Sequence, residues 1–286
     1  MSDGGFYPAS IASNGTDYLV VWTNHYQWLE TALLAPDGAA RRRGLVTAQR
    51  PNAGPPVFSW TVASDGEQFV VIWQRNGGYV EHDYTSDLRS TVISADGSVG
   101  ESRIIAGEAE RAINPAAAWS GDEYVVTYTA LAGRPGVFYD EPGEGDLYQM
   151  SLAATGEVRR PSAIVAGRRG LEGPADIASG GTGAVIIWRR SIPQRAAAEI
   201  ELLALPTGRR LIVSRSHSWQ EAIAGATVGD HSVFVWQEIV GPEQQRRVFL
   251  QRTGADGVPL HGRGIAVSPG PNDQTQPAIG GRLLAW

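Results

Sequence analysis

Short apolar runs separated by polar turns recur along the whole chain, and their order repeats. The first copy reads Pro8-Ala-Ser-Ile-Ala-Ser-Asn-Gly-Thr-Asp-Tyr-Leu-Val-Val-Trp22. Later copies run from Phe58 to Trp73, Pro115 to Tyr128, Pro174 to Trp188 and Ala222 to Trp236, and a last one from Pro277 to Trp286. Their terminal aromatic residues lie 51, 55, 60, 48 and 50 residues apart. A period of that length is the signature of a propeller or solenoid.

Each copy predicts four short strands, A to D. Strand A is the Pro-x-Ile-Ala-Ser run. A tight turn such as Asn14-Gly15 or Asp65-Gly66 follows, supplying the positive φ that two-residue hairpins need. Strand B is continuous and apolar up to its aromatic residue, which implies burial on both faces. Strand C is a run such as Thr31-Ala-Leu-Leu-Ala, closed by a turn such as Pro36-Asp37-Gly38. Strand D follows, as in Gly44-Leu-Val-Thr or Arg103-Ile-Ile-Ala. No stretch of length has helical periodicity.

Four-stranded meanders buried on both faces predict an all-β fold, a β-propeller in which each blade is sandwiched between neighbours. The repeats resemble those of bacterial propeller-like proteins carrying Pro-x-Ile-Ala-Ser-Asp-Gly-x-x-Tyr-Leu-Val-Val-Trp, many of them secreted or surface proteins. The resemblance covers nearly the whole chain. It implies a fold and leaves function open, since propellers host binding modules, scaffolds and enzymes alike. The expected organisation is one domain, 1–286, with repeats near 7–53, 57–110, 114–170, 173–218 and 221–272 and a half repeat at 275–286. Six ring positions with a half-built sixth blade are the favoured reading; a five-bladed ring with an accessory pair, or a truncated chain, are the alternatives. The half blade would leave the Trp286 strand as an open edge, which a partner or a second copy would cover.

A meander puts the A–B and C–D turns at one end of every blade and the B–C and D–A connections at the other. The turn end is uniformly tight. The other end holds every long connection, including 23–29, 74–87, 129–145, 189–196 and 237–245 between B and C. Long connections on a rigid scaffold are where function sits. They carry the aromatic residues expected to bind a protein surface or a glycan: Tyr26, Trp28, Tyr79, His82, Tyr84, Tyr139 and Trp219. Such rings offer an apolar face with a polar tip. The competing reading is that long loops bury their own rings as small satellite cores.

Acidic residues accompany them. Asp140, Glu141, Glu144 and Asp146 could supply oxygen ligands for Ca²⁺, but the spacing is not that of an EF-hand and a solvated acidic loop is the favoured reading. Asp83 with Asp140 or Glu141 would form a carboxylate pair for glycoside hydrolysis. His25, His82 and His217 share the loop end but lack short-range ligand spacing. Arg41-Arg42-Arg43, Arg159-Arg160 and Arg209-Arg210 follow C–D turns and read as solvated outer strands blunted by charge.

Composition narrows the chemistry. The chain has no Cys, which removes disulfides and thiolate metal sites. All 24 cationic residues are Arg; the missing Lys removes Schiff bases and a P-loop. A net charge of -6 argues against general nucleic-acid affinity. No run approaches the roughly 20 apolar residues of a membrane helix. No nucleophile elbow or zinc-protease motif occurs. Met1-Ser-Asp-Gly-Gly shows no signal peptide, so an extracellular or cell-surface location is expected from the repeat resemblance alone, with the cytoplasm as alternative. The leading expectation is a non-catalytic binding propeller without a catalytic residue or an obligatory cofactor. The alternatives are a polysaccharide-acting enzyme using loop carboxylates and a structural module joined through the half blade.

Overall fold

The computed structural model describes residues 9–23, 28–46, 59–80, 83–107, 111–131, 145–167, 171–180, 183–192, 197–205, 207–216, 220–241, 244–254, 256–262, 264–267, 270, 273–280 and 283–286. The chain is an all-β propeller, with no helix among the described residues. Blade 1 is β1 (Ser10–Ser13), β2 (Tyr18–Thr23), β3 (Leu29–Leu34) and β4 (Ala40–Leu45). Blade 2 is β5 (Trp60–Ser64), β6 (Phe69–Val80), β7 (Asp83–Ile93) and β8 (Val99–Ala106). Blade 3 is β9 (Ala112–Trp119), β10 (Tyr124–Ala130), β11 (Asp146–Leu152) and β12 (Val158–Ala166). Blade 4 is β13 (Leu171–Gly180), β14 (Gly183–Ile192), β15 (Ala197–Ala204) and β16 (Arg209–Ser216). Blade 5 is β17 (Gln220–Val228), β18 (His231–Val240), β19 (Gln245–Thr253) and β20 (Ile265–Ala266). A sixth sheet holds β21 (Ala278–Gly280) and β22 (Leu283–Ala285).

Every blade is an antiparallel meander in chain order. The A strands of successive blades pack side by side, β1 on β5, β5 on β9, β9 on β13, β13 on β17 and β17 on β21. The hairpin of the sixth sheet therefore continues the succession of blades. The B strands supply the sandwiched core: Phe69 to Trp73, Tyr124 to Tyr128, Ala184 to Trp188 and Val233 to Trp236 are buried. The sixth sheet differs, with Trp286 51% and Leu283 81% exposed.

Local chemistry explains the tight end. Asn14 Oδ1 accepts from the Thr16 and Asp17 amides, and Asp65 Oδ1 from those of Glu67 and Gln68. Asp37, Asp96 and Asp256 each accept from the amide two residues on. These side-chain turns leave the following glycine at positive φ, as at Gly66 (96°) and Gly97 (79°).

One expectation changes. The D strand of blade 1 begins at Ala40, directly after its turn, rather than at Gly44. The outer-strand arginines Arg41 to Arg43, Arg159, Arg160, Arg209 and Arg210 are exposed, and outer-strand arginines also reach across blades. Arg42 reaches from blade 1 to Asp96 and Ser98 of blade 2, and Arg103 from blade 2 to Glu157 of blade 3. Each guanidinium clasps the C–D turn of the next blade, so the outer-strand charge also joins neighbouring blades.

Candidate functional site

The B–C end carries more regular structure than its sequence suggests. Residues 74–87 read as a loop, yet β6 and β7 stay paired far beyond the sheet. Strand β5 stops pairing at Trp73 and β8 at Leu88, while β6 and β7 continue to the pair Val80 and Asp83. The extension is a two-stranded ribbon about 20 Å long at ~3.3 Å per residue. Its register sets Tyr79 opposite Tyr84 at the tip. The ribbon is rooted in the blade: Asp87 is buried and accepts from Arg75 and Arg89, and Ser86 Oγ donates to the Ala112 carbonyl of blade 3. The connections read as 189–196 and 237–245 shorten in the same way, because β14 and β15 reach Ile192 and Ala197 and β18 and β19 reach Val240 and Gln245.

Among the expected site residues, Trp28 is half-buried at the start of β3, Tyr79 and Tyr84 lie in the ribbon, and Asp146 opens β11. Tyr26, His82, Tyr139, Trp219, Asp140, Glu141 and Glu144 lie outside the described residues, as do His25 and His217. No group of three or more His, Asp or Glu placed to hold a metal ion occurs among the described residues.

A cross-strand pair recurs two residues beyond the B-strand tryptophan. It is Arg75 opposite Asp87 in blade 2, Arg190 opposite Glu199 in blade 4, and Glu238 opposite Arg247 in blade 5, where the signs are exchanged. Opposite charges at facing positions stabilise an antiparallel pair. At a register shift within β9 and within β17, and just before β21, Asn114 (51°), Ala222 (50°) and Gln276 (54°) hold positive φ at the same repeat position. Non-glycine residues in this region store strain of about 1–3 kcal/mol each. Blade 2 and blade 5 offset it: the Asn114 amide donates to Ser59 Oγ, itself bonded to Gln74, and the Gln276 amide donates to Gln237 Oε1.

Sequence reasoning missed a second constellation, in the seam between blades 3 and 4. Glu201 is 1% exposed; its Oε1 accepts from Arg190 Nη1 (3.0 Å) and its Oε2 from Arg210 Nε (2.6 Å). Arg210 also lies over the Trp188 ring, 4.9 Å from its centroid. Glu172, 1% exposed, begins blade 4, and its backbone bridges to Gly145 of blade 3 in both directions. Its Oε1 is 3.8 Å from Arg190 Nε, and its Oε2 has no hydrogen-bond partner. Burial pushes this carboxyl up to about 7; Arg190 opposes the rise, and Glu201 and Asp146 add to it. Asp176 on strand β13 accepts from the Ile177 amide and, across the blades, from the Gly225 amide, while burial pushes it up to about 6. The C-strand position opposite the aromatic residue is charged in three blades, Glu30, Arg89 and Glu201, and aromatic in two, Tyr148 and Phe249, so no single residue of the sequence pointed to the seam.

No protein-family model matches the sequence, and no curated protein matches it. Solved structures do match in shape. An α-L-arabinofuranosidase from Lactobacillus brevis aligns with TM-score 0.54 at 11% identity, over 93% of this chain and 97% of that one. A levansucrase mutant from Bacillus subtilis aligns with TM-score 0.55 at 10% identity, over 96% and 88%. An exo-1,5-α-L-arabinanase from a bovine ruminal metagenomic library aligns with TM-score 0.50 at 9% identity, over 91% and 100%. At such identities the likeness defines the class by fold alone, a β-propeller.

Proposed function

We propose that the chain is a binding propeller that presents its B–C end to a protein surface or a glycan through one composite site. The observation that carries this reading is the asymmetry of the two ends. One end is closed by short Asx-type turns, whereas the other bears the longer connections and the Tyr79–Tyr84 ribbon. The connections differ from blade to blade, which favours a single site over equal sites on each blade. Three of the described buried carboxylates, Asp87, Glu123 and Glu201, are held by arginines within the blades, a structural use of acid groups. The reading places the protein outside the cell or on its surface.

The test compares wild type with Trp28→Ala, with Tyr79→Ala and Tyr84→Ala together, and with Tyr139→Ala and Trp219→Ala together. Binding is measured on a glycan array and on intact bacterial cells. Loss of binding in at least one variant with unchanged thermal stability supports the site; full binding in all of them overturns it. A second reading, an enzyme acting on polysaccharide, draws on the likeness to an arabinofuranosidase and an arabinanase. Release of reducing sugar from arabinan that is abolished by Asp83→Asn or Asp140→Asn would replace the first reading.

A further inference from the structure

We propose that the cavity in the seam between blades 3 and 4 binds a small, neutral, hydroxyl-bearing ligand of monosaccharide size, with Glu172 and Arg190 as its recognition pair. The cavity measures about 370 Å³. That volume lies within the range of small-molecule sites. Ile164, Val165 and Ala166 of β12 give it an apolar wall, and Glu172, Arg190 and Arg210 of blade 4 give it a polar one.

The polar wall carries an unpaired acceptor and an unpaired donor side by side. Glu172 Oε2 is a buried acceptor and Arg190 Nε a buried donor, and neither has a hydrogen-bond partner. Buried polar groups are paired in the great majority of cases, so an adjacent unpaired donor and acceptor call for an explanation. Arg190 Nε and Glu172 Oε1 are 3.8 Å apart, too far for a direct hydrogen bond. An oxygen that both accepts and donates fits between such groups, and a hydroxyl does both. A pair of neighbouring hydroxyls would serve the guanidinium and the carboxyl together.

Charge gives ions no advantage once Glu172 is ionised, above about pH 7. Glu201 accepts from Arg190 Nη1 and Arg210 Nε, so two carboxylates then balance two guanidiniums. An anion reaching Arg190 would meet Glu172 and Glu201 together, with Asp146 close enough to influence Glu172. A cation reaching Glu172 would meet Arg190 and Arg210. A neutral polyol pays neither cost, and the C–H face of a sugar ring suits the aliphatic wall. The loop aromatics take no part, so this site stands or falls independently of the proposed B–C face.

The experiment is saturation-transfer NMR with titration, using the methyl glycosides of glucose, galactose and arabinose, with cyclohexanol, sulfate and ethylammonium as comparison probes. Two variants accompany wild type: Val165→Phe, which fills the cavity, and Glu172→Gln, which keeps the shape but changes the acceptor. Ser214→Ala, at the position of the next seam that corresponds to Ala166, is the control. The expected result is saturable binding of at least one glycoside, lost in Val165→Phe, about tenfold weaker in Glu172→Gln and unchanged in Ser214→Ala. The proposal is overturned if no glycoside binds at concentrations well above millimolar, if both variants bind like wild type, or if sulfate, ethylammonium or cyclohexanol binds better than every glycoside.

Discussion

The seams between blades 3 and 4 and between blades 4 and 5 occupy the same place in the repeat and solve the same packing problem with different chemistry. In both, an outer D strand faces the B and C strands of the following blade. The second seam also holds a cavity, about 390 Å³, lined by Ile212, Ser214, Trp236, Glu238 and Phe249 among others. There the polar groups are satisfied. Ser214 Oγ (2.9 Å) and Trp236 Nε1 (3.3 Å) both donate to Glu238 Oε2, and Phe249 stacks on Trp236 at 6.0 Å. In the first seam the corresponding positions are Ala166, Trp188, Arg190 and Glu201. Ala166 has no hydroxyl to offer, Trp188 Nε1 has no partner, and an arginine network replaces the aromatic stack. One seam is built for stability, whereas the other carries unpaired polar atoms of the kind that ligand sites tolerate.

The largest expected effect tests whether the tryptophan anchors both seams. Trp188→Ala and Trp236→Ala should each cost about 3–5 kcal/mol in urea unfolding, since both rings are fully buried. Trp286→Ala, at the same repeat position but half exposed, should cost less than about 0.5 kcal/mol. A comparable loss at Trp286 would show that the sixth sheet is packed like the others.

The next effect separates the seams by pH. Glu172 is protonated in the folded chain up to about pH 7 and ionises near 4.5 when unfolded. The folded state therefore binds the extra proton, and the stability this gives at low pH is lost as pH rises from about 4.5 to 7. Glu172→Gln removes that loss. It should be more stable than wild type by about 1–3 kcal/mol at pH 8, and the difference should vanish near pH 4.5. Asp176, pushed up to about 6, adds to both proteins a shared loss of stability as pH rises from about 3.8 to 6. A constant difference across the range would show that Glu172 does not titrate as described.

Smaller effects follow from the tight packing of the second seam. Gly264→Ala drives a Cβ into the Trp236 ring and should cost about 1–3 kcal/mol. Ser214→Ala should cost about 1 kcal/mol by removing a donor to Glu238. Thermal unfolding of both variants checks these values; a neutral Gly264→Ala would mean that the aromatic stack shifts freely.

The blades were legible because their cause is local. Turn glycines, continuous apolar B strands and the spaced tryptophans each act within one hairpin, and together they imply the meander. The ribbon was not legible, because residues 74–87 carry the polar and glycine content of a loop. Their pairing depends on Asp87 being held by Arg75 and Arg89 and on Ser86 reaching the next blade. The seam constellation was hidden for a similar reason. Glu172, Arg190, Glu201 and Arg210 sit on four different strands, and only the register of the sheet and the docking of blade 3 bring them together. Nothing in the sequence set Glu201 apart, since the same C-strand position is Glu30 in blade 1 and Arg89 in blade 2.

The difference between the seams rests on Glu172 being a buried carboxyl without a full set of partners. The direct measurement is a carbon-detected NMR titration of the glutamate side-chain carboxyls, with Glu172 assigned by its absence in Glu172→Gln. The structure predicts a midpoint near 7 for Glu172. A midpoint near 4.5, the ordinary glutamate value, would contradict the account and make the two seams chemically alike.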